Sequence, residues 1–250
     1  MDGIELQLRS YYEAEADRRL RPTHGERRHD ICRSFARSLA ADGRDSVLDV
    51  GAGPASDHGP FVAYGIGYIG VDLAVGNAVL AVESGQTMVP ASLFSLPFPD
   101  STFSAGWSMS TFQHVPDERI DEALAEFVRV LVPGAPVTIG LWGGHDVVID
   151  STSSTSGLDL PRHFTLRTHD RIRSLLRRHL VIEREETFAS GSSGWREYHV
   201  ASGSTPTMIE RFAEQGIMSR PPPSTRPVAG DRPRPTPKRP AADIVSQQRR

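Results

Sequence analysis

The sequence predicts an α/β three-layer sandwich, a mostly parallel seven-stranded sheet with helices on both faces and capping helices at its N-terminal end. Three observations carry this. Short apolar runs such as "SVLDV" (46–50) and "GYIGVD" (67–72) alternate with helical periodicities along most of the chain. Glycine, or proline followed by glycine, falls where elements should stop. The 250 residues suffice for one domain with a sizeable core.

The elements follow in order. Residues 4–19 and 25–41 read as helices that cap the body. In the second, Ile31, Phe35 and Leu39 recur every four positions and define an apolar face, and Gly43 ends it. The strand at 46–50 precedes a helix expected over 54–64. Strands follow at 67–72 and 86–91, with a helix at 75–84 between them, and a fourth strand lies at 103–109. "DERIDEALAEFVRVLVPG" (117–134) is the clearest helix: Asp117 is its expected cap, acids crowd its first turn, and Pro133-Gly134 stop it. "APVTIGLW" (135–142) is the fifth strand. The Gly-, Ser- and Thr-rich stretch 143–160 reads as a long loop or lid. A helix near 168–178, strands at 180–188 and 195–202, and a short helix at 205–215 complete the body.

Composition bounds the rest. The 38% hydrophobic fraction is low for a chain ordered throughout. Residues 220–250 hold eight prolines, eight basic residues and two acids, so they read as a disordered, basic tail. Residues 1–219 then form the folded domain, with its helical cap over 1–42. That body carries 20 basic and 29 acidic residues, which disfavours a nucleic-acid backbone as its main partner. No run of apolar residues is long enough to span a membrane, and the charged N-terminal stretch without a compact apolar run leads to the expectation that it is not a secretory leader. Cys32 is the single cysteine, expected as a small buried hydrophobe, and a cytoplasmic setting is the expectation. No His, Asp or Glu set has metal-ligand spacing; His24, His29 and Asp30 read as a charged helix surface, so no metal is expected.

In such a sheet, ligands bind at the carboxyl ends of the strands, by the topological switch point. The informative residues fall there. In "VLDVGAGPASDHG" (47–59), Gly51 and Gly53 allow a sharp turn and a close backbone approach. Asp49 would repel a pyrophosphate and suits a cationic ligand, such as an amine or a sulfonium. Asp72 ends the next strand, where its carboxylate can accept from two ribose hydroxyls; by itself this fits NAD or an adenosine-containing cofactor.

The ordered segments "VLDVGAGPA", "GVDLA", "SLFSLPFPDSTFSAGW", "STFQHVPD" and "EFVRVLVPGAPVTIGLW" resemble the class I S-adenosylmethionine-dependent methyltransferases, a Rossmann-like family, most closely over 46–142. The resemblance implies S-adenosylmethionine as cofactor. It implies that Asp49, Gly51, Ala52 and Gly53 wrap its methionine part, and that Asp72 holds the ribose with Leu73 beside the adenine. Ser92 and Leu93 fall at the adenine edge, and Trp107 and Ser108 at the amino-acid end. Arg33 is the nearest match to an arginine for the cofactor carboxylate. His114 is the candidate general base, with His145 second and His163 and His169 as residues of a lid. Tyr11 and Tyr12 could close the site, Trp142 could line the acceptor pocket, and Trp195 reads as packing.

The sequence also departs from the family pattern. Ala55 replaces the last glycine of the loop and is expected at negative φ. Ser92 replaces an acid, and Ser104 replaces another in a structural position. The reading that follows is a methyltransferase acting on oxygen or nitrogen of a small molecule. The alternatives are an RNA- or protein-directed enzyme tethered by the tail, and a non-catalytic cofactor-binding relative.

Overall fold

The computed structural model describes residues 2–18, 25–151, 158–190 and 196–215. The tail expected at 220–250, His24 and Trp195 lie outside the described residues.

The chain runs α1 (Gly3–Asp17), α2 (Glu26–Ala41), β1 (Ser46–Val50), α3 (His58–Ala63), β2 (Gly67–Asp72), α4 (Val75–Glu83), β3 (Met88–Pro90) and β4 (Ala105–Met109). It continues through α5 (Ile120–Arg129), β5 (Pro136–Gly143), β6 (Val147–Ser151), β7 (Arg162–Leu166), α6 (His169–Leu176), β8 (Val181–Ser190), β9 (Arg196–Ser204) and α7 (Met208–Glu214). Seven strands form one sheet in the order β3-β2-β1-β4-β5-β9-β8. The first five are mutually parallel, and β9 runs antiparallel to both β5 and β8. The order reverses between β1 and β4, which opens a crevice at their carboxyl ends.

Two apolar layers cover the sheet. On one face Cys32, Ala36 and Leu39 of α2 and Phe61 of α3 pack on Val47, Ala105 and Trp107. On the other, Leu124 and Phe127 of α5 and Ile172 of α6 pack on Leu48, Val50, Val137 and Ile139. The strands alternate faces with period two, which is why neighbours in β1 enter different cores. The buried stripe of α2 therefore runs through 32, 36 and 39, one position round from the expected 31, 35 and 39, with Ile31 and Phe35 half-buried. This makes α2 a layer of the sandwich. Only α1 acts as a lid, docked on α4 where Glu13 accepts from the Val75 and Gly76 amides at 2.8 and 2.7 Å. The carboxylate thereby satisfies two orphan donors at a helix N-terminus.

Three expectations change. The stretch read as one loop holds the hairpin β6–β7, paired from Val147↔Leu166 to Ser151↔Arg162. Asp117 does not cap α5, which starts at Ile120 behind Arg119 with no side-chain cap bond. It is drawn off by two guanidiniums, Arg167 at 2.9 Å and Arg171 at 2.6 Å. Helix α3 begins at His58 rather than Pro54, because the glycine loop continues through Ala55 in left-handed steps.

Gly51, Gly53 and Ala55 have φ of 72°, 56° and 59°, so the expected negative φ at Ala55 is wrong. Left-handed backbone costs a residue with a Cβ about 1–2 kcal/mol. Part of that is offset by burying the methyl group, worth about 0.8 kcal/mol, among Cys32, Phe61 and Trp107. The carbonyl of Ala55 also accepts from the His58 amide and from His58 Nδ1, at 3.3 and 2.7 Å. At Gly51 no such compromise is open: an added Cβ would stand 1.9 Å from Thr111 Oγ1.

Candidate active site

A cavity of about 550 Å³ opens at the carboxyl ends of β1, β2 and β4, within the usual range for small-molecule clefts. Its floor is the 51–54 loop; its sides are Asp72, Leu73, Ala91 and Leu93 on one hand and Ser110, Thr111 and Gln113 to Pro116 on the other. Helix α1 roofs it with Glu5, Leu8, Tyr12 and Glu15. Trp142 and Arg162 close the far end.

Of the residues expected here, Gly51, Ala52, Gly53, Asp72, Leu73, Leu93 and His114 line the cavity. Asp49, Arg33, Ser92, Trp107 and Ser108 do not. Asp49 shares a strand face with Val47 and turns into the α2–α3 layer, where Tyr68 donates to it at 2.6 Å. Burial, reinforced by nearby Asp57, raises its pKa. Trp107 lies on the same side and donates its indole N–H to Asp57 at 2.9 Å. Ser108 donates to the Val50 carbonyl at 2.9 Å, so the part of the strand exit that meets the cavity is Met109, Ser110 and Thr111, further along. Period-two alternation along β1 and β4 was the available signal for these placements.

Arg33 is mostly exposed and sits 3.8 Å from Asp30. The arginine of α2 that reaches the cavity is Arg28, just over one turn earlier, gripped by Asp57 through contacts of 3.0 and 2.7 Å. Ser92 donates to Glu5 of α1 and accepts from the Phe94 amide at 3.1 Å. The segment expected at the adenine edge, which has no acid of its own, is thus joined to a carboxylate from the roof. Ser104 has the structural part expected of it, its hydroxyl accepting from the Asp45 and Ser46 amides at 3.1 and 3.0 Å.

Asp72 is buried, and its carboxylate accepts from Gly53 N (2.8 Å), Ala74 N (2.9 Å) and Asn77 Nδ2 (3.2 Å). Burial raises its pKa, against the pull of these donors. The bonds tie the glycine loop to the start of α4 and leave lone-pair capacity on the oxygen that meets Gly53. Gln113 accepts from the Trp142 amide at 2.8 Å, and its amide nitrogen donates to no described residue.

His114 is fixed on both sides. A carbonyl can only accept, so Nδ1–H donates to His163 O (2.6 Å), and Nε2 accepts from the Tyr12 hydroxyl (2.9 Å). Burial, with the charge of Arg162 behind it, lowers its pKa to about 3. Below the unfolded value of about 6.5 the unfolded chain binds the proton that the folded one refuses. This residue's contribution to stability is therefore present above about pH 6.5 and is lost as pH falls towards 3. In an NMR titration its ring resonances should stay at the neutral position between about pH 5 and 8. A midpoint in that window would contradict this environment.

His163 packs within the hairpin, against Asp150 at 2.8 Å and Thr165 at 2.9 Å, and does not line the cavity. Nor do His145 and His169; the latter stacks on buried His199, 5.2 Å between centroids. Arg167, missed by the sequence reading, is fully buried beneath the 112–117 segment. It donates to Asp117 (2.9 Å) and to the carbonyls of Val115 (2.7 Å) and Thr165 (3.1 Å). Among the described residues no group of three or more His, Cys, Asp or Glu is placed to hold a metal ion. No helix among them is long and apolar enough to cross a membrane.

A five-stranded parallel core with an antiparallel β9–β8 edge, and a glycine-loop cavity at its switch point, define the class I methyltransferase fold. By sequence, residues 48–139 match the family described as a methyltransferase domain. An uncharacterized methyltransferase of Mycobacterium sp. (strain JLS) is 37% identical over 114 residues, 42% of this chain and 44% of that protein. The probable chloroplastic tocopherol O-methyltransferase of Oryza sativa subsp. japonica is 35% identical over 107 residues, 39% of this chain and 29% of that protein. The chain thus spans less than half the length of these curated relatives. Among solved structures, a Methanosarcina mazei S-adenosylmethionine-dependent methyltransferase is similar at a TM-score of 0.59 and 16% identity, covering 66% of this chain and 93% of that one. The Burkholderia thailandensis 1,6-didemethyltoxoflavin-N1-methyltransferase, solved with 1,6-didemethyltoxoflavin and S-adenosylhomocysteine, also gives 0.59, at 20% identity over 80% and 88%.

Proposed function

We propose that the protein transfers a methyl group from S-adenosylmethionine to an oxygen or nitrogen atom of a small-molecule acceptor. The supporting observation is one continuous cavity. It runs from Asp72 and the glycine loop to an end walled by Tyr12, His114 and Trp142, under the roof of α1. The residues present fit the cofactor. Asp72 offers a carboxylate to ribose hydroxyls, and Leu73, Ala91, Leu93 and Phe94 form an apolar slot for the adenine. The Gln113 amide and Arg28 offer donors to the amino-acid end. The cofactor supplies the electrophilic methyl group, and the protein's part is positioning and exclusion of water, which is worth on the order of 7–11 kcal/mol.

His114 serves here as a positioning residue. A ring held neutral with a pKa of about 3 is a poor base at neutral pH. By accepting the Tyr12 proton it turns the lone pairs of the tyrosine oxygen towards an acceptor N–H or O–H. A neutral amine needs no more than this orientation. The acidic body and the roofed cavity favour a small acceptor over RNA or protein, and a cytoplasmic setting remains part of this reading.

Incubation of the protein with methyl-labelled cofactor and a cell extract tests it. Label should appear in the dialysable small-molecule fraction. Label confined to RNA or protein would replace this acceptor class with a macromolecule. S-adenosylhomocysteine binding without any transfer would favour a non-catalytic relative.

A further inference from the structure

Resting on that reading, we infer that Arg162 makes the acceptor end of the cavity an anion site, so that the acceptor is a planar aromatic molecule bearing a carboxylate or phosphate. Arg162 opens β7 and lines the cavity. Its guanidinium carbon lies 4.8 Å from the Tyr11 ring centroid, 5.9 Å from Tyr12 and 4.5 Å from Phe164. Trp142 continues this wall, stacked on Phe164 at 5.9 Å and 10°.

The side chain is 19% exposed, and its one ionic neighbour among the described residues is Glu15 at 3.9 Å, beyond hydrogen-bond length. It donates a hydrogen bond to no described residue. The other two arginines of this region differ. Arg28 is held by both oxygens of Asp57, and Arg167 by a carboxylate and backbone carbonyls. Cation–π contact offsets part of the desolvation of Arg162 but uses none of its five N–H donors. A planar fork of unused donors facing a cavity matches a carboxylate or phosphate bidentately. Tyr12 and Trp142, the rings of this wall that line the cavity, offer a flat surface to the rest of such an acceptor. Neutral His114 adds no second positive charge, and Glu15, the carboxylate nearest Arg162, stays beyond hydrogen-bond length, so the Arg162 fork is the cationic donor group at this end.

The test measures binding of 4-hydroxybenzoate, phenyl phosphate and neutral 4-hydroxybenzamide to the full chain, with and without S-adenosylhomocysteine. One charge-assisted contact is expected to favour an anion over the amide by about tenfold or more. Arg162→Gln should erase that preference and leave S-adenosylhomocysteine affinity unchanged, and Arg162→Lys should restore part of it. Preference for the phosphate over the benzoate assigns the anion as phosphate, and the reverse assigns a carboxylate. Equal binding of acid and amide, a preference that survives Arg162→Gln, or no binding of any probe overturns the inference. Failure of S-adenosylhomocysteine to bind the unaltered protein would instead remove the cofactor reading, and anion preference measured without it would still stand.

Discussion

Asp72→Ala is expected to lower S-adenosylhomocysteine affinity by at least about a hundredfold in calorimetry. Two effects combine. A carboxylate that can accept from ribose hydroxyls is lost, and hydrogen bonds to a charged acceptor are worth about 1.5–3 kcal/mol each. The cradle also loosens, since the Gly53, Ala74 and Asn77 donors at 2.8, 2.9 and 3.2 Å lose their shared acceptor. Asp72→Asn separates the two. It keeps the shape and one acceptor oxygen but turns an NH2 group towards a backbone N–H, so an intermediate affinity is expected. Unaltered binding by a folded alanine variant would sink the placement of the ribose.

Arg167→Met should produce the largest loss of stability among the substitutions considered. A buried acceptor left without its donor costs about 1–3 kcal/mol. Here the carbonyls of Val115 and Thr165 lose theirs, while the half-exposed Asp117 keeps Arg171, so a total loss of about 3–5 kcal/mol is expected. For a domain of this size a drop in Tm of roughly 6–20 °C is expected. Gln113 and His114 lie on the segment that Arg167 holds from beneath, so S-adenosylhomocysteine affinity should fall as well. An unchanged melting curve would show that the buried guanidinium does not anchor that wall.

How far the site was legible depends on which side of a strand a residue faces. Gly51, Gly53 and Asp72 could be read from the glycine spacing and the strand ends, because those positions depend on the local backbone, whereas Leu93 was legible only through the family resemblance. Asp49 and Trp107 also stand at strand ends, but the pleat sends both side chains to the rear layer. Arg28 was missed in favour of Arg33 because α2 lies in the sandwich, and its phase is set by Cys32, Ala36 and Leu39 seating on β1 and β4. Arg162 and Arg167 gave no signal, since each acquires its meaning from segments far away in the chain. The β6–β7 hairpin hid in a Ser- and Thr-rich stretch whose apolar alternation is weak.

Outside the β6–β7 hairpin, the sequence by itself determined the order of strands and helices, the α/β class and the position of the glycine loop. These rest on local periodicity and on residues that permit or forbid a turn. It did not determine the left-handed turn at Ala55 or the pairing of Tyr12 with His114 across 102 positions. Those depend on burial and on contacts between distant segments, and only the tertiary structure brings them together.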